Sequence, residues 1–145
     1  MFKHILIPTD GSKLSSMAAD EAIRFAADAQ ARVTLLAVVE PFEMLSGNAE
    51  EFLEERDHYE RIAESRCDAF LSPARSEAAR RSISCETLVV KGDNVPLAII
   101  ETAVDRGCDL IAMGSHGRGG VASLLLGSVT TKVLAQSRIP VLVYR

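Results

Sequence analysis

The stretch "DLIAMGSHGRGGVASLLLGS", Asp109 to Ser128, carries in succession a short apolar run, a glycine-rich segment around one histidine and one arginine, and a Gly-Ser pair from which a helix can start. A strand, a glycine-rich loop and a helix start in that order belong to a parallel βαβ unit, and the chain upstream repeats the alternation. "HILIP" (His4 to Pro8) is a short apolar run stopped by Pro8 and the turn-forming "TDGS", which suits a buried parallel strand. Behind it Leu14, Ala18, Phe25, Ala26 and Ala29 fall at helical spacing, with Ser12 or Ser15 available as the cap. "RVTLLAVVE" (Arg32 to Glu40) is rich in β-branched and apolar residues and is closed by Pro41, so it reads as a second strand.

From Asn48 to about Ser72 the charges thicken, and Phe52, Tyr59, Ile62, Ala63 and Phe70 form a looser stripe that predicts a long half-exposed helix. Pro73 is expected to kink or restart it. "CETLVV" (Cys85 to Val90) is a third strand, and "GDN" then opens a helix with Pro96 in its first turn and Leu97, Ile100, Ala103 and Val104 facing inward. Gly107 ends that helix, Asp109 to Gly114 is the fourth strand, Ser128 to Gln136 the last helix and Ile139 to Tyr144 the fifth strand. The expected fold is one α/β domain over residues 1–145. It is doubly wound, with a five-stranded, mostly parallel sheet in the order 3-2-1-4-5 and helices on both faces. That order sets the loop after the first strand beside the loop after the fourth, at the carboxyl ends where such sheets bind ligands.

Composition narrows the function classes. At 145 residues the chain is long enough to bury a core without a staple, and 48% apolar against 25% charged residues is an ordinary globular balance with no sign of disorder. Apolar runs such as "LLAVV" (Leu35 to Val39) fall far short of the ~20 residues a spanning helix needs, and no signal peptide is evident, so a cytoplasmic protein without a membrane partner is expected. The formal net charge of −4 argues against a general nucleic-acid binder, which needs a surplus of Lys and Arg. Cys67, Cys85 and Cys108 are far apart, form no CxxC pair and have no His at a ligand spacing, so they read as reduced packing residues and no metal site is assigned.

A strand, a glycine-rich loop and a helix start together present backbone N–H groups and the positive end of a helix dipole to an anion. Gly114 and Gly117 would let the chain turn without obstructing a ligand, and Gly127, Ser128 and Val129 would aim a helix N-terminus at phosphate; equally, Ser128 could cap its own helix and the glycines serve a tight crossover. Neither a GxxxxGK[ST] P-loop nor a GxGxxG after the first strand is present. Asp10 is positioned for a ribose contact or for bonding its own turn. His116 can polarise a phosphate or decorate a loop, and Arg118 can pair with phosphate or with solvent. The triple leucine Leu124 to Leu126 reads as core packing for the loop.

Gly114, Gly117, Gly127 and Ser128 fit the pattern GxxGx(9)G[ST]. In this the chain resembles the ATP-binding branch of the universal stress protein family, and the likeness extends to "ILIPTDGS", "LLAVVE", "GDNVPLAII" and "IPVLVYR". The resemblance implies a nucleotide-binding domain that holds ATP, with Mg carried through the phosphates. The chain shows only the charge-binding half of a phosphoryl-transfer apparatus, so a regulatory, stress-linked protein with slow or no hydrolysis and no catalytic residue is expected. It implies a homodimer, which the apolar C-terminal strand is suited to join. By position, the backbone of Val38 would meet the adenine edge, with Pro8, Thr9 and Asp10 beside base and ribose. Met113, Gly114, Ser115, His116, Gly117, Arg118 and Gly119 would surround ribose and phosphates, and Gly127, Ser128 and Val129 would take the phosphate tail. Gly119 and Gly120 depart from the bulkier polar residues expected after Arg118, which bears on affinity.

Two other readings share the architecture. A phosphoacceptor receiver domain would use Asp93 after the third strand and Ser115 after the fourth, but lacks an acidic pair after the first strand and a lysine before the end of the fifth. A nucleotide-free dimeric scaffold would leave the glycine motif without a purpose.

Overall fold

The computed structural model describes residues 1–43, 47–117 and 125–145. Five strands and four helices alternate: β1 (His4–Pro8), α1 (Lys13–Ala29), β2 (Arg32–Val39), α2 (Ala49–Arg80), β3 (Cys85–Lys91), α3 (Val95–Asp105), β4 (Leu110–Gly114), α4 (Ser128–Gln136) and β5 (Val141–Tyr144). The strands form one parallel sheet in the order β3-β2-β1-β4-β5.

The strands are apolar on both faces because both are covered. Ile5, Ile7, Val33, Leu35 and Leu110 point to the layer formed by α1 and α2, where Ala22, Ile23, Ala26, Leu71, Ala74 and Ala78 meet them. Their neighbours Leu6, Leu36, Ile111 and Met113 point the other way, onto Ile99 and Ala103 of α3 and Val133 of α4. Burying a side chain of this size contributes roughly 1.5–3 kcal/mol, so each face needs its own helical layer. The small residues of α1 let it approach β4 closely: a Cβ on Gly114 would lie 3.3 Å from Ala18 Cβ.

The amino ends of the strands are tied by Asp109, which accepts hydrogen bonds from the amides of Lys3 (2.8 Å) and His4 (3.0 Å). Burial works against its charged form, yet these amide bonds prevail and hold the carboxyl below its ordinary pKa. Beside it His4 is buried, its Nε2 at 2.7 Å from Thr34 Oγ1 and its Nδ1 without a partner. Cys67 and Cys108 are buried and Cys85 is half-buried, and burial pushes the Cys108 thiol up to about 11, as suits packing.

Several expected side-chain directions are corrected. α2 does not restart at Pro73 but runs through it as one helix, with Leu71, Ala74 and Ala78 buried on the sheet, so packing outweighs the donor that proline removes. In α3 the buried residues are Pro96, Ile99, Thr102 and Ala103, while Leu97 and Val104 are exposed. Leu14 of α1 is exposed and Ser15 is buried in its place. Leu125 is 65% exposed, which rules it out as core, and Leu124 lies outside the described residues. β5 begins at Val141, two residues later than expected, because Ser137 forms a local turn with Ile139 and Pro140 has no N–H to pair. Among the described residues no helix is long and apolar enough to cross a membrane.

Candidate nucleotide site

The loop after β1 is built by its own short polar side chains. Thr9 continues the sheet by donating its amide to Leu36 O (2.9 Å), and its hydroxyl lies 2.7 Å from Ser15 Oγ. Asp10 donates its amide to Ser15 Oγ (3.1 Å) and accepts at Oδ1 from the Ser12 amide (2.9 Å), while Ser12 caps α1 by accepting from the Ser15 amide. Gly11, with φ of +80°, turns the chain over the Phe70 ring, and a Cβ there would stand 2.5 Å from Phe70 Cδ1.

The loop after β4 approaches from the other side. Ser115 is buried, extends the sheet by donating to Tyr144 O (2.7 Å), and lies with Oγ 3.0 Å from His116 Nδ1. Its carbonyl accepts from the Gly127 amide at 2.7 Å, which closes the loop onto the start of α4. Thr130 donates to Gly114 O (2.8 Å) and fixes the first turn of that helix against β4. Gly127 is the N-cap, with no side-chain cap, so Ser128 sits at the first helical position and does not cap α4. A Cβ on Gly127 would fall 3.2 Å from Ser115 O, hence the small residue.

Between the two loops lies a cleft of about 700 Å³, within the range of small-ligand sites. Of the residues expected from the sequence, Pro8, Thr9, Asp10, Val38, Met113, Gly114, His116, Gly117, Gly127, Ser128 and Val129 line it. Ser115 lies behind them, and Arg118 and Gly119 fall outside the described residues. Gly117 has no left-handed backbone conformation; its constraint is contact, because a Cβ there would overlap Asp10 Oδ2. Asp10 thus serves its own turn through Oδ1, one of the two roles the sequence left open, and its Oδ2 stands beside Gly117 at the cleft.

The sequence missed one wall. Tyr59, Ile62, Ala63, Arg66, Cys67 and Phe70 bring α2 along the cleft, and Val95 and Ile99 of α3 close the opposite side. Four of the α2 residues stand in the apolar stripe already visible at helical spacing, so the signal existed without its destination. The upper part of α2 is fastened by the Tyr59 hydroxyl, which donates to Glu40 O (2.9 Å), by Phe42 packed on Tyr59 at 5.4 Å between centroids, and by Lys91 with Glu60 at 2.6 Å. The hydrogen bond from Lys91 outweighs desolvation and lowers the pKa of Glu60. Among the described residues no group of His, Cys, Asp and Glu could hold a metal ion.

The whole chain, residues 1–145, matches the model of the Universal stress protein family. It is 30% identical over 151 aligned positions to Universal stress protein YxiE of Bacillus subtilis, covering all of both chains. Universal stress protein MJ0577 of Methanocaldococcus jannaschii is 30% identical, over all of this chain and 96% of that one. The solved structure of MJ0577 superposes with a TM-score of 0.84 at 29% identity, over 99% of this chain and 95% of that one. A universal stress protein solved in complex with cAMP gives 0.72 at 26% identity, over 99% and 97%. A family match over its full length, with relatives 30% identical along the whole chain, establishes that the chain belongs to the universal stress protein family.

Proposed function

We propose that this chain is a regulatory ATP-binding protein whose conformation or partner choice follows the occupancy of the cleft. The observation that carries the reading is the uncapped start of α4, at Gly127 and Ser128, lining a cleft whose other loop is held by Asp10 against Gly117. Free N–H groups at a helix start attract an anion, and the bare Gly117 lets the glycine loop close against the Asp10 carboxylate at the edge of the cleft. That combination fits a nucleotide with its phosphates toward α4 and its base toward Val38. The cAMP complex of a family member is consistent with an adenine ligand in this fold.

In this reading the chain's groups bind and orient. The α4 amides and Ser128 hydroxyl hold phosphate oxygens, Asp10 takes the ribose hydroxyls and the Val38 backbone meets the adenine edge. ATP would supply the phosphates and Mg would be carried by them. The site is read as binding charge and not as activating a water, so turnover is expected well below the ~1 per second low end of ordinary enzymes. The whole chain would act as one domain in the cytoplasm, as a homodimer. The receiver-like alternative gains nothing: Asp93 is exposed at the end of edge strand β3 and does not line the cleft.

The test is mass spectrometry of the small molecule released from freshly purified protein, followed by phosphate release with ATP and Mg. An adenine nucleotide bound in stoichiometric amount, hydrolysed slowly or not at all, is the expected result. Protein that carries no nucleotide and takes up none on addition contradicts it, and turnover of tens per second contradicts the regulatory reading.

A further inference from the structure

We infer that Arg66 of α2 supplies the countercharge to the phosphates from the wall facing the glycine loop, and that this contact makes the cleft prefer a polyphosphate nucleotide over its nucleoside. The inference rests on the ATP-binding reading above and extends it to a helix that neither the glycine motif nor the β1 loop includes.

Charge in the cleft is the first argument. The described lining residues include the carboxylates of Asp10 and Glu40, and Arg66 is the only lysine or arginine among them. A polyphosphate entering beside two carboxylates needs positive charge nearby; the N–H groups of one helix start provide a partial one, and Arg118, expected beside the phosphates, lies outside the described residues. Arginine suits the task because its planar fork can bond two phosphate oxygens at once.

The pairing pattern along α2 is the second. Its other arginines are engaged: Arg56 lies 4.0 Å from Glu60, Arg75 3.9 Å from Asp68, and Arg80 and Arg81 both reach Glu77, while Arg61 donates to Asp57 O. Arg66 has no carboxylate partner among the described residues. Its neighbours three and four positions away are Ile62, Ala63, Ala69 and Phe70, none of which can pair with it. A helix laced with ion pairs thus leaves one guanidinium unpaired, on the side where Ile62, Ala63 and Phe70 also line the cleft.

The layer arrangement is the third. α2 packs on one face of the sheet and α4 on the other, so Arg66 and the α4 amides would grip a ligand lying over the strand ends from both sides. Phe70 lies under Gly11, four residues along from Arg66, and Tyr59 is bonded to Glu40 seven residues before it, so Arg66 stands between the β1 loop and the end of β2.

The experiment is calorimetric titration of ATP, AMP and adenosine into the parent, Arg66→Gln, Arg66→Lys and Arg61→Gln. Arg61 is on the same helix, carries the same charge and does not line this cleft, so its variant controls for long-range electrostatics. Loss of one charge-assisted contact is expected to weaken ATP about tenfold or more in Arg66→Gln, with adenosine unchanged and a partial recovery in Arg66→Lys. Arg61→Gln should leave ATP affinity within about twofold. If Arg66→Gln binds ATP like the parent, loses ATP and adenosine equally, or is matched by Arg61→Gln, the role of Arg66 is overturned while the ATP reading stands. If the parent binds none of the three ligands, both fall.

Discussion

Asp10 and Gly117 touch across the cleft: a Cβ on Gly117 would overlap Asp10 Oδ2 and lie 3.4 Å from its Cγ. The glycine loop is therefore fitted to the carboxylate of the β1 loop, and the requirement for glycine at this position is one of space. Two segments more than a hundred residues apart in sequence meet at the point where the proposed ligand must approach.

That contact predicts non-additivity. Gly117→Ala should cost about 1–3 kcal/mol by overpacking, and Asp10→Ala should cost less, through the lost bond to the Ser12 amide. The double variant should be more stable than the sum of the two single effects requires, because removing the carboxylate makes room for the methyl group. Urea unfolding of the four proteins measures the coupling, and strict additivity would show that Asp10 yields freely.

Ser128→Ala should separate ligand from fold. Because Gly127 is the cap and Ser128 makes no cap bond, thermal stability should be unchanged. ATP binding should weaken by about 0.5–1.5 kcal/mol, one hydroxyl bond, with the backbone donors intact. A melting temperature that falls with no loss of affinity would assign Ser128 to the helix alone.

His4 predicts a loss of stability on mild acidification. Burial lowers its pKa, aided by Arg32, against the opposing pull of Glu86, the Arg106 carbonyl and Asp109. The unfolded chain, with an ordinary histidine near 6.5, takes up the proton first, so stability is full above that value. It falls as the pH drops below the unfolded pKa and levels off below the folded one. The depressed Asp109 works in a separate window, losing its contribution as the pH falls from its ordinary 3.8 through its lower folded value. Denaturant midpoints from pH 7.5 to 4.5 should show the first decline, and His4→Gln should flatten it; an unchanged slope would locate the titration elsewhere.

The open outer edge of β5 predicts assembly. β5 pairs with β4 on one side only, and its residues Val141–Tyr144 are half-exposed. Pairing this edge with its copy about a two-fold axis would satisfy its amides and cover the apolar side chains. Sedimentation at micromolar concentration should give a dimer, and a monomer both with and without ATP would contradict it.

The strands and their order were legible because short apolar runs bounded by Pro, Gly and Asp have few other uses, and parallel crossovers leave few topologies. Helix faces were less legible. In α3, Ile100 and Ala103 pack inward as the spacing suggests, whereas Leu97 and Val104 are as apolar as Pro96 and Ile99, and only the sheet decides between them. The cleft wall on α2 was hidden for a similar reason: Tyr59, Ile62 and Phe70 are as apolar as core residues, and nothing local says that they overlook a ligand site. The glycine motif was visible at once, whereas its fit to Asp10 required both loops in place.

In the proposed function a nucleotide lies between the two loops, and that requires Gly117 to stay bare beside Asp10. The most direct test is calorimetric titration of ATP into the parent and Gly117→Val, with thermal melts to confirm that both are folded. The parent should bind and the folded variant should not, since its β-branched side chain would displace the Asp10 carboxylate proposed to hold the ribose. Equal ATP affinity in the two proteins would contradict the account.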